Sequence, residues 1–311
     1  MKLNILVTGG SGFIGSNLVD ALLSSGHNVH IIDDLSTGLK KNENSLATYH
    51  HYDLVDCIQD GTHVLNILKT NKINVVYHLA ASADIFLSIN NPELVYNINL
   101  TSSIAFVNLC NKTPSVKSFI FASTSAVYGE PEYLPVDELH PTNPISPYGL
   151  SKLGFEQYLS YFKSHSEILF TIFRFPNVYG YRQRPDLEGG VIAIFHDVIQ
   201  KNENIKMFGD GEQTRDWVEV SDVVSALIKA LKYKAKYEIF GLGSGTKTSL
   251  NMLFEYFKEA MNYKKTPIYL EERDGDIKHM VMTNSHVQDK LKWAPLIQLE
   301  SGIKKLIKES T

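Results

Sequence analysis

The chain has few cysteines and no long apolar run. Only two of its 311 residues are cysteines, Cys57 and Cys110, and neither lies in a metal-ligand spacing. We expect two buried, reduced thiols and no bound metal, with a disulfide as the less favoured alternative. The apolar stretch in the N-terminal MKLNILVTGG is too short for a signal-peptide core or a membrane span. These features predict a cytoplasmic protein.

An excess of charge of either sign is also lacking. The 30 basic and 34 acidic residues give a net charge of −4, so the chain has no basic field of the kind that binds nucleic acids or anionic membranes. Basic pairs such as Lys40-Lys41 and Lys304-Lys305 are isolated and typical of solvated faces. We therefore expect neither a nucleic-acid partner nor a membrane partner.

The sequence does contain a regular alternation of strand-like and helix-like segments. Short runs rich in Val, Ile and Phe occur at residues 4–7, 29–32, 75–79, 118–121 and 169–173. Segments of helical periodicity lie at residues 13–23, 64–69, 94–109 and 148–162. This order predicts right-handed βαβ units, and hence an α/β fold with a doubly wound parallel sheet.

The character of the sequence changes after Arg174. Residues 177–220 are rich in Gly, Arg and Asp and predict an irregular region built from loops, whereas a helix and a strand within 221–243 could rejoin the first sheet. From about residue 247 the pattern predicts a helix, a strand and two short helices. The predicted division is a first domain over 1–176 plus about 221–245, and a smaller, interleaved α/β lobe over 177–220 and 246–311.

A glycine-rich stretch follows the first predicted strand and leads into an amphipathic helix. It reads GGSGFIG, residues 9–15. Gly9 permits a tight turn, Gly12 lets the backbone approach a pyrophosphate, and Gly15 lets the helix pack close to the strand. A plain glycine-rich turn is the alternative, but the position between a strand and a helix favours a dinucleotide site.

Two carboxylates end the second predicted strand. Asp33 and Asp34 can accept hydrogen bonds from ribose hydroxyls and would repel a 2′-phosphate, and no Arg stands beside them. NAD is therefore favoured over NADP. A helix-cap or turn aspartate is the alternative interpretation. Asp53, after the third strand, could reach the adenine amino group.

A tyrosine and a lysine stand four residues apart in SPYGLSK, residues 146–152. Ser146 suits a helix N-cap and Pro147 the first helical position, so Tyr148 and Lys152 fall on one face of the first turns. The ammonium group would lower the pKa of the phenol and allow it to exchange a proton with an alcohol. An ordinary surface pair is the alternative for this spacing taken alone.

In their order along the chain, these segments resemble the NAD-dependent nucleotide-sugar epimerase/dehydratase family of extended short-chain dehydrogenases/reductases, and most of all its UDP-glucose 4-epimerase branch. The resemblance covers nearly the whole length. The motifs that carry it are GGSGFIG at 9–15, IDDLSTG at 32–38, YHLAA at 77–81, STSAVYG at 123–129, YGLSK at 148–152, RFPNVYG at 174–180, FGDGEQTRDWVEVSDV at 208–223 and RDGDI at 273–277.

The resemblance implies a Rossmann domain that carries NAD and a smaller lobe that binds a UDP-sugar. It implies a catalytic group of Thr124, Tyr148 and Lys152. The implied cofactor contacts are Gly9, Gly12, Phe13, Ile14, Gly15, Asp33, Asp34, Ser36, Thr37, Gly38, Asp53, Leu54, Leu79, Ala80, Ala81, Asn99, Ser123, Tyr148 and Lys152. The implied substrate contacts are Ser82, Thr124, Asn177, Arg215 and Arg273. It further implies a homodimer through helices at about 92–111 and 147–164.

The activity implied is 4-epimerisation of a UDP-hexose through a transient 4-keto intermediate. Related 4,6-dehydratases place Asp-Glu after the catalytic Thr, and UDP-glucuronate decarboxylases retain the Glu. Here those positions are Ser125 and Ala126, which cannot act as carboxylate acid or base. Both activities are kept as alternatives. Met280 sits near the position that limits room for an N-acetyl group in the family, so acceptance of N-acetylated sugars is open.

The chain departs from the family pattern at two positions. Tyr181 stands where Pro commonly follows the NVYG motif, and Thr283 stands where Asp usually follows the RDGDI segment. Neither position belongs to the implied catalytic group, so both are interpreted as local variation.

Overall fold

The computed structural model describes residues 2–187, 190–272 and 277–310. Its strands are β1 Asn4–Thr8, β2 Asn28–Asp33, β3 Thr48–His51, β4 Val75–His78, β5 Ser118–Thr124, β6 Leu169–Phe175, β7 Asn177–Tyr179, β8 Lys206–Phe208, β9 Thr214–Arg215, β10 Trp217–Glu219, β11 Tyr237–Gly241, β12 Thr248–Ser249 and β13 Ile268–Leu270. A seven-stranded sheet has the order β11-β6-β5-β4-β1-β2-β3, and every neighbouring pair in it is parallel. The predicted doubly wound α/β fold is confirmed.

The α-helices of the described residues are α1 Phe13–Ser24, α2 Thr62–Thr70, α3 Ile85–Asn90, α4 Pro92–Tyr96, α5 Ser102–Asn111, α6 Pro147–Tyr161, α7 Val191–Gln200, α8 Val220–Ala230, α9 Leu250–Ala260, α10 Ser285–Leu291 and α11 Leu299–Glu309. Six of them cover the two faces of the large sheet. Helices α1, α8 and α10 pack on one face, and α2, α5 and α6 pack on the other. Burying the strands on both faces explains why they read as nearly continuous apolar runs.

The predicted helix over 94–109 is confirmed, with one irregularity. Helix α4, a wider π-helical turn at Asn97–Thr101, and α5 follow one another without a gap, and the junction residues keep right-handed helical backbone angles. The turn breaks the α-helical hydrogen-bond ladder by one inserted residue, and the apolar pattern of the sequence does not reveal this break. The turn aims the Asn99 side chain away from the helix axis and into the site described below.

The region 177–220 is more regular than its composition predicts. It holds the ten-residue helix α7 and four short strands, which pair in three small sheets in the described part of the chain: β7 with β10, β9 with β12, and β8 with β13. All three pairings join residues far apart in sequence, so no local pattern reveals them. The strand β11 does join the large sheet beside β6.

A third apolar cluster lies under the small sheets and is separate from the two clusters of the large sheet. It includes Ile192 of α7, Trp217 of β10, Leu253 of α9 and Ile303 of α11. Helices from the middle and the end of the chain therefore share one core, as expected for an interleaved lobe. The exact boundaries of the two domains stay a prediction.

The two cysteines are buried and do not form a disulfide, as predicted. Burial raises the pKa of the Cys57 thiol to about 11, which keeps it protonated at neutral pH. Across the described residues, the helices are all too short or too polar to cross a membrane.

Candidate active site

The glycine turn forms the first wall of the site. Gly9 has a φ of +72°, and its N–H donates to Ile32 O at 2.9 Å. A Cβ on Gly9 would lie 2.8 Å from Ala80 N, and one on Gly15 only 2.0 Å from Gly9 O. Both positions therefore exclude a side chain. The open cradle at the start of α1 that results fits a pyrophosphate.

Asp33 ties this turn to the end of β2. Its Oδ2 accepts from Ser11 N at 2.8 Å and its Oδ1 from Leu35 N at 2.9 Å. Burial raises the pKa of the Asp33 carboxyl, and the two N–H donors oppose that shift. Each carboxylate oxygen keeps a further lone pair that a ribose hydroxyl could use. Asp33 can therefore stabilise the turn and also accept a hydrogen bond from a ribose hydroxyl.

Two further aspartates of the predicted cofactor set make only local contacts in the described residues. Asp34 Oδ1 accepts from Ser36 N at 2.9 Å and from Ser36 Oγ at 2.7 Å. Asp53 caps the short 3-10 turn that begins at Leu54, where its Oδ1 accepts from Val55 N at 2.8 Å. Their roles toward a nucleotide stay predictions.

A buried histidine links the cofactor side to the broken helix. His78 Nδ1 lies 2.8 Å from Thr8 Oγ1, and His78 Nε2 lies 2.8 Å from Ser103 Oγ. Thr8 Oγ1 accepts from the N–H groups of Leu79 and Ala80, both at 3.2 Å. Since Ser103 donates its proton to the Asn97–Thr101 turn, we assign the imidazole proton to Nε2.

Asn99 connects three segments of the site. Its Oδ1 accepts from Ser82 N and its Nδ2 donates to Ser82 O, both at 2.8 Å. The same Nδ2 donates to Ser151 Oγ at 3.2 Å, and Ser151 Oγ donates to Tyr148 O at 2.7 Å. The turn that breaks the helix therefore fixes the loop after β4 against the start of α6.

The start of α6 packs against the turn that follows β5. Ser146 caps the helix by accepting from Gly149 N at 3.1 Å, as predicted. A Cβ on Gly149 would lie 2.5 Å from Ala126 O, so only glycine allows this approach. Thr124 Oγ1 accepts from Ala126 N at 3.1 Å. Lys152 Nζ donates to Ala122 O at 3.0 Å. The predicted catalytic residues thus lie on two elements that are packed together.

Lys152 is 4% exposed and lies in a protected electrostatic environment. Its Nζ is 4.9 Å from the centre of the Phe121 ring, a favourable cation–π geometry. Burial, with a smaller effect of the Lys152 charge, lowers the pKa of His78 to about 3. The imidazole is therefore neutral, and the ammonium does not face a second cation on that side.

Ser123 belongs to a buried charge network, and its predicted contact with the cofactor stays a prediction. Its hydroxyl donates to Glu156 Oε1, and Arg174 Nη2 lies 2.6 Å from Glu156 Oε2. Arg174 Nη1 donates to Tyr128 Oη at 3.0 Å. Burial raises the pKa of Tyr128 to about 12, so it stays a neutral phenol. These contacts hold β5, β6 and α6 together behind the catalytic residues.

Two of the predicted substrate residues, Asn177 on β7 and Arg215 on β9, lie on the small sheets, whereas Ser82 follows β4 and Thr124 ends β5. Strand β7 pairs with β10, and Asn177 N donates at 3.1 Å to the main-chain oxygen of Asp216, the residue after Arg215. Arg215 Nη1 donates to Thr214 O at 3.0 Å. Arg273 lies outside the described residues.

Asp216 holds this substrate side together, and its role was missed from the sequence. It is buried, and its carboxylate accepts from Ser244 N at 2.9 Å and from Met282 N at 3.0 Å. Burial raises its pKa, and these donors oppose the shift. The motif that contains Asp216 was noted in the sequence. The hydrogen-bond partners of Asp216, Ser244 and Met282, lie too far along the chain to be predicted from that motif.

The chain belongs to the NAD-dependent epimerase/dehydratase family, because a model of that family matches residues 5–243. NAD is therefore its cofactor, in agreement with the glycine cradle and the carboxylate at the end of β2. A putative UDP-glucose 4-epimerase of Methanocaldococcus jannaschii is 41% identical over 303 residues, which are 97% of each chain. A UDP-glucose 4-epimerase of Mycolicibacterium smegmatis is 33% identical over 302 residues, covering 97% of this chain and 96% of the relative.

Solved structures of epimerases share the fold over almost the whole chain. UDP-glucose 4-epimerase of Thermotoga maritima, with UDP-glucose, has a TM-score of 0.95 at 37% identity and covers 99% of this chain and 98% of its own. UDP-N-acetylglucosamine 4-epimerase of Methanobrevibacter ruminantium, with UDP-N-acetylmuramic acid, has a TM-score of 0.92 at 33% identity, with coverages of 100% and 99%. UDP-glucose 4-epimerase of Thermus thermophilus, with NAD, has a TM-score of 0.91 at 32% identity, with coverages of 99% and 98%.

Proposed function

We propose that this protein is a UDP-hexose 4-epimerase that interconverts UDP-glucose and UDP-galactose. The observation that carries the proposal is the packing of α6 on the turn after β5. That packing brings the segment of Thr124 to the segment of Tyr148 and Lys152, with Ser125 and Ala126 in the turn between them. The site thus offers a phenol, a hydroxyl and an ammonium for proton transfer, and no carboxylate at the two positions that elimination requires.

The roles follow from the chemistry of each group. Tyr148, as phenolate, takes the proton of the sugar 4-hydroxyl while Thr124 holds that oxygen by a hydrogen bond. Lys152 stabilises the phenolate by its charge. When bound, NAD would supply a reversible hydride acceptor for C4 of the sugar. Tyr148 gives the proton back once the 4-keto sugar has presented its opposite face and regained the hydride, so that no cofactor, acid or base is consumed.

The substrate side supports a sugar nucleotide. Arg215 lies on the short strand β9, and Asn177 donates to the main chain of the next residue, Asp216. An arginine fork suits the oxygens of a diphosphate. The relatives named above act on UDP-glucose or UDP-N-acetylglucosamine, which agrees with a UDP-sugar and leaves the sugar to be identified. Met280 is 3% exposed and packs with Tyr128 and Leu153, so the pocket near it is already filled. We therefore propose the unsubstituted hexose as the preferred substrate.

A substrate panel tests the proposal. The purified protein is incubated without added NAD and with UDP-galactose, UDP-N-acetylgalactosamine or UDP-galacturonate, and the products are separated by chromatography. UDP-glucose should form fastest. A faster reaction of an N-acetylated or acidic sugar would correct the substrate alone. The absence of conversion of every pair, with NAD supplied, would refute the epimerase.

We also propose that two copies form a homodimer through α4 to α6. Phe155 and Leu159, on the apolar face of α6, are fully buried in the core of the monomer and are not available to a second copy. Other apolar side chains remain on the surface of these helices, with Leu94 at 41%, Leu150 at 48% and Tyr161 at 57% exposure. Sedimentation should give twice the mass of the chain, and a monomer for Leu150→Glu. A monomeric wild type would refute the dimer.

A further inference from the structure

A short segment after β7 crosses over to the helix of the glycine turn. We call residues 181–184 the strap. Asn17 Nδ2 donates to Tyr181 O at 3.1 Å, and Arg182 Nη1 lies 2.8 Å from Asp20 Oδ2. Asn17 and Asp20 both lie on α1, in the turns that follow the glycines. The first end of the strap is therefore fixed to the wall of the site that faces the phosphates.

The other end of the strap reaches the loop after β2. Arg184 Nη1 donates to Thr37 O at 3.1 Å, while its Nε donates to Asp186 Oδ1 at 2.9 Å. The loop that accepts this bond packs on the glycine turn, since a Cβ on Gly38 would lie 2.8 Å from Ser11 Cβ. One guanidinium thus joins the strap to the loop of the predicted ribose site.

The strap is attached to α1 at one end and to the loop after β2 at the other. In a Rossmann site the ribose and pyrophosphate lie between the first helix and the carboxyl end of the second strand. We propose that the strap closes the adenosine end of the NAD site and slows release of the cofactor. Arg182 and Arg184 act as positioning residues that hold it closed. The inference rests on the proposed function only in requiring that NAD stays bound between turnovers.

The backbone of the strap is held in a costly conformation. Arg182 has a φ of +73°, a left-handed value that is unfavourable for a residue with a side chain. The contacts at both ends must offset this cost. Because the Arg182 and Asp20 side chains are 19% and 38% exposed, salt will screen their attraction in part. Release of NAD should therefore speed up as the salt concentration rises.

The test measures cofactor release directly. The protein is loaded with NADH, and the loss of its fluorescence is followed after addition of excess NAD, with no sugar nucleotide present. Loss of about 1 kcal/mol would speed release about fivefold, which we expect for Arg182→Ala and for Arg184→Ala. The matched control is Lys201→Ala, which removes the exposed pair with Asp197 at 2.7 Å on α7 and should leave release unchanged.

A charge exchange distinguishes loss of the contact between Arg182 and Asp20 from a general loosening of the fold. Exchanging the two charges in Asp20→Arg with Arg182→Asp should restore slow release, whereas either single change should not. Equal release rates for wild type, Arg182→Ala and Arg184→Ala would overturn the strap, and so would fast release from the exchanged pair. An inactive protein with the expected release rates would refute the proposed function alone, and an active protein without them would refute the strap alone.

Discussion

The cofactor half and the substrate half of the site differ in how far apart along the chain their parts lie. In the cofactor half, turns at the ends of β1 and β2 are held by close backbone packing, such as that of Gly15 on Gly9. In the substrate half, Asn177 and Arg215 lie on two-stranded sheets that Asp216 ties to residues near 244 and 282. The cofactor half therefore has no room for a side chain at its glycine turn. The substrate half depends on the buried carboxylate of Asp216.

The catalytic residues stand between these halves, and removing one should separate chemistry from binding. Tyr148→Phe keeps the ring but loses the proton acceptor. We expect turnover to fall about 10³-fold, within the usual range for a general acid or base, while NAD content is unchanged. The matched control is Tyr161→Phe, which alters an exposed tyrosine on the same helix. Retained turnover in Tyr148→Phe would remove the residue from the mechanism.

A methyl group added to the cofactor half tests its close packing. Gly15→Ala would place a Cβ 2.0 Å from Gly9 O, and the strain should weaken NAD binding about 100-fold, an overpacking cost of about 3 kcal/mol. Gly26→Ala is the control, because no atom lies within 4 Å of its Cβ although its φ is +82°. It should lose about 1 kcal/mol of stability and keep NAD. Titration with NAD compares the two, and equal affinities would contradict the cradle.

The substrate half should respond to loss of its carboxylate. Asp216→Ala leaves the N–H groups of Ser244 and Met282 without their acceptor, which should lower the free energy of unfolding by about 2 kcal/mol. The KM for the sugar nucleotide should rise while NAD affinity changes little. Asp210→Ala, at an exposed turn residue, is the control in urea denaturation. An unchanged KM in Asp216→Ala would show that Asp216 does not hold the substrate half in place.

The buried histidine that borders the cofactor half should make stability depend on pH. The folded-state pKa of His78, about 3, is below the ordinary 6.5, so between these values the unfolded chain binds a proton that the folded chain does not. His78 should therefore contribute a fall of about 1.4 kcal/mol per pH unit in the free energy of unfolding as the pH drops below 6.5. Other histidines whose pKa burial lowers, such as His30 and His50, add to the slope in both proteins, so His78→Gln, which keeps a donor and an acceptor, should lose only the His78 contribution. Equal slopes in urea denaturation from pH 6.5 to 5 would contradict a neutral His78.

Much of the cofactor half could be predicted from the sequence because its signals are local. The glycine turn, the carboxylate after β2 and the capped start of α6 each lie within a few residues. The break at Asn97–Thr101 could not be predicted, since the apolar periodicity runs through it. The contacts of His78 also escaped, because they join hydroxyls from separate elements. In the substrate half, β8 pairs with β13 about sixty residues later, and only the folded chain brings them together.

The central claim is that the residues around Tyr148 support reversible epimerisation and no elimination. Turnover of UDP-galactose in D₂O tests it most directly, with the position of deuterium in the product read by NMR. The account predicts UDP-glucose without solvent deuterium at C4 or C5, because the hydrogen leaves C4 as hydride and returns there. Deuterium at C5, or a product that has lost water, would contradict it.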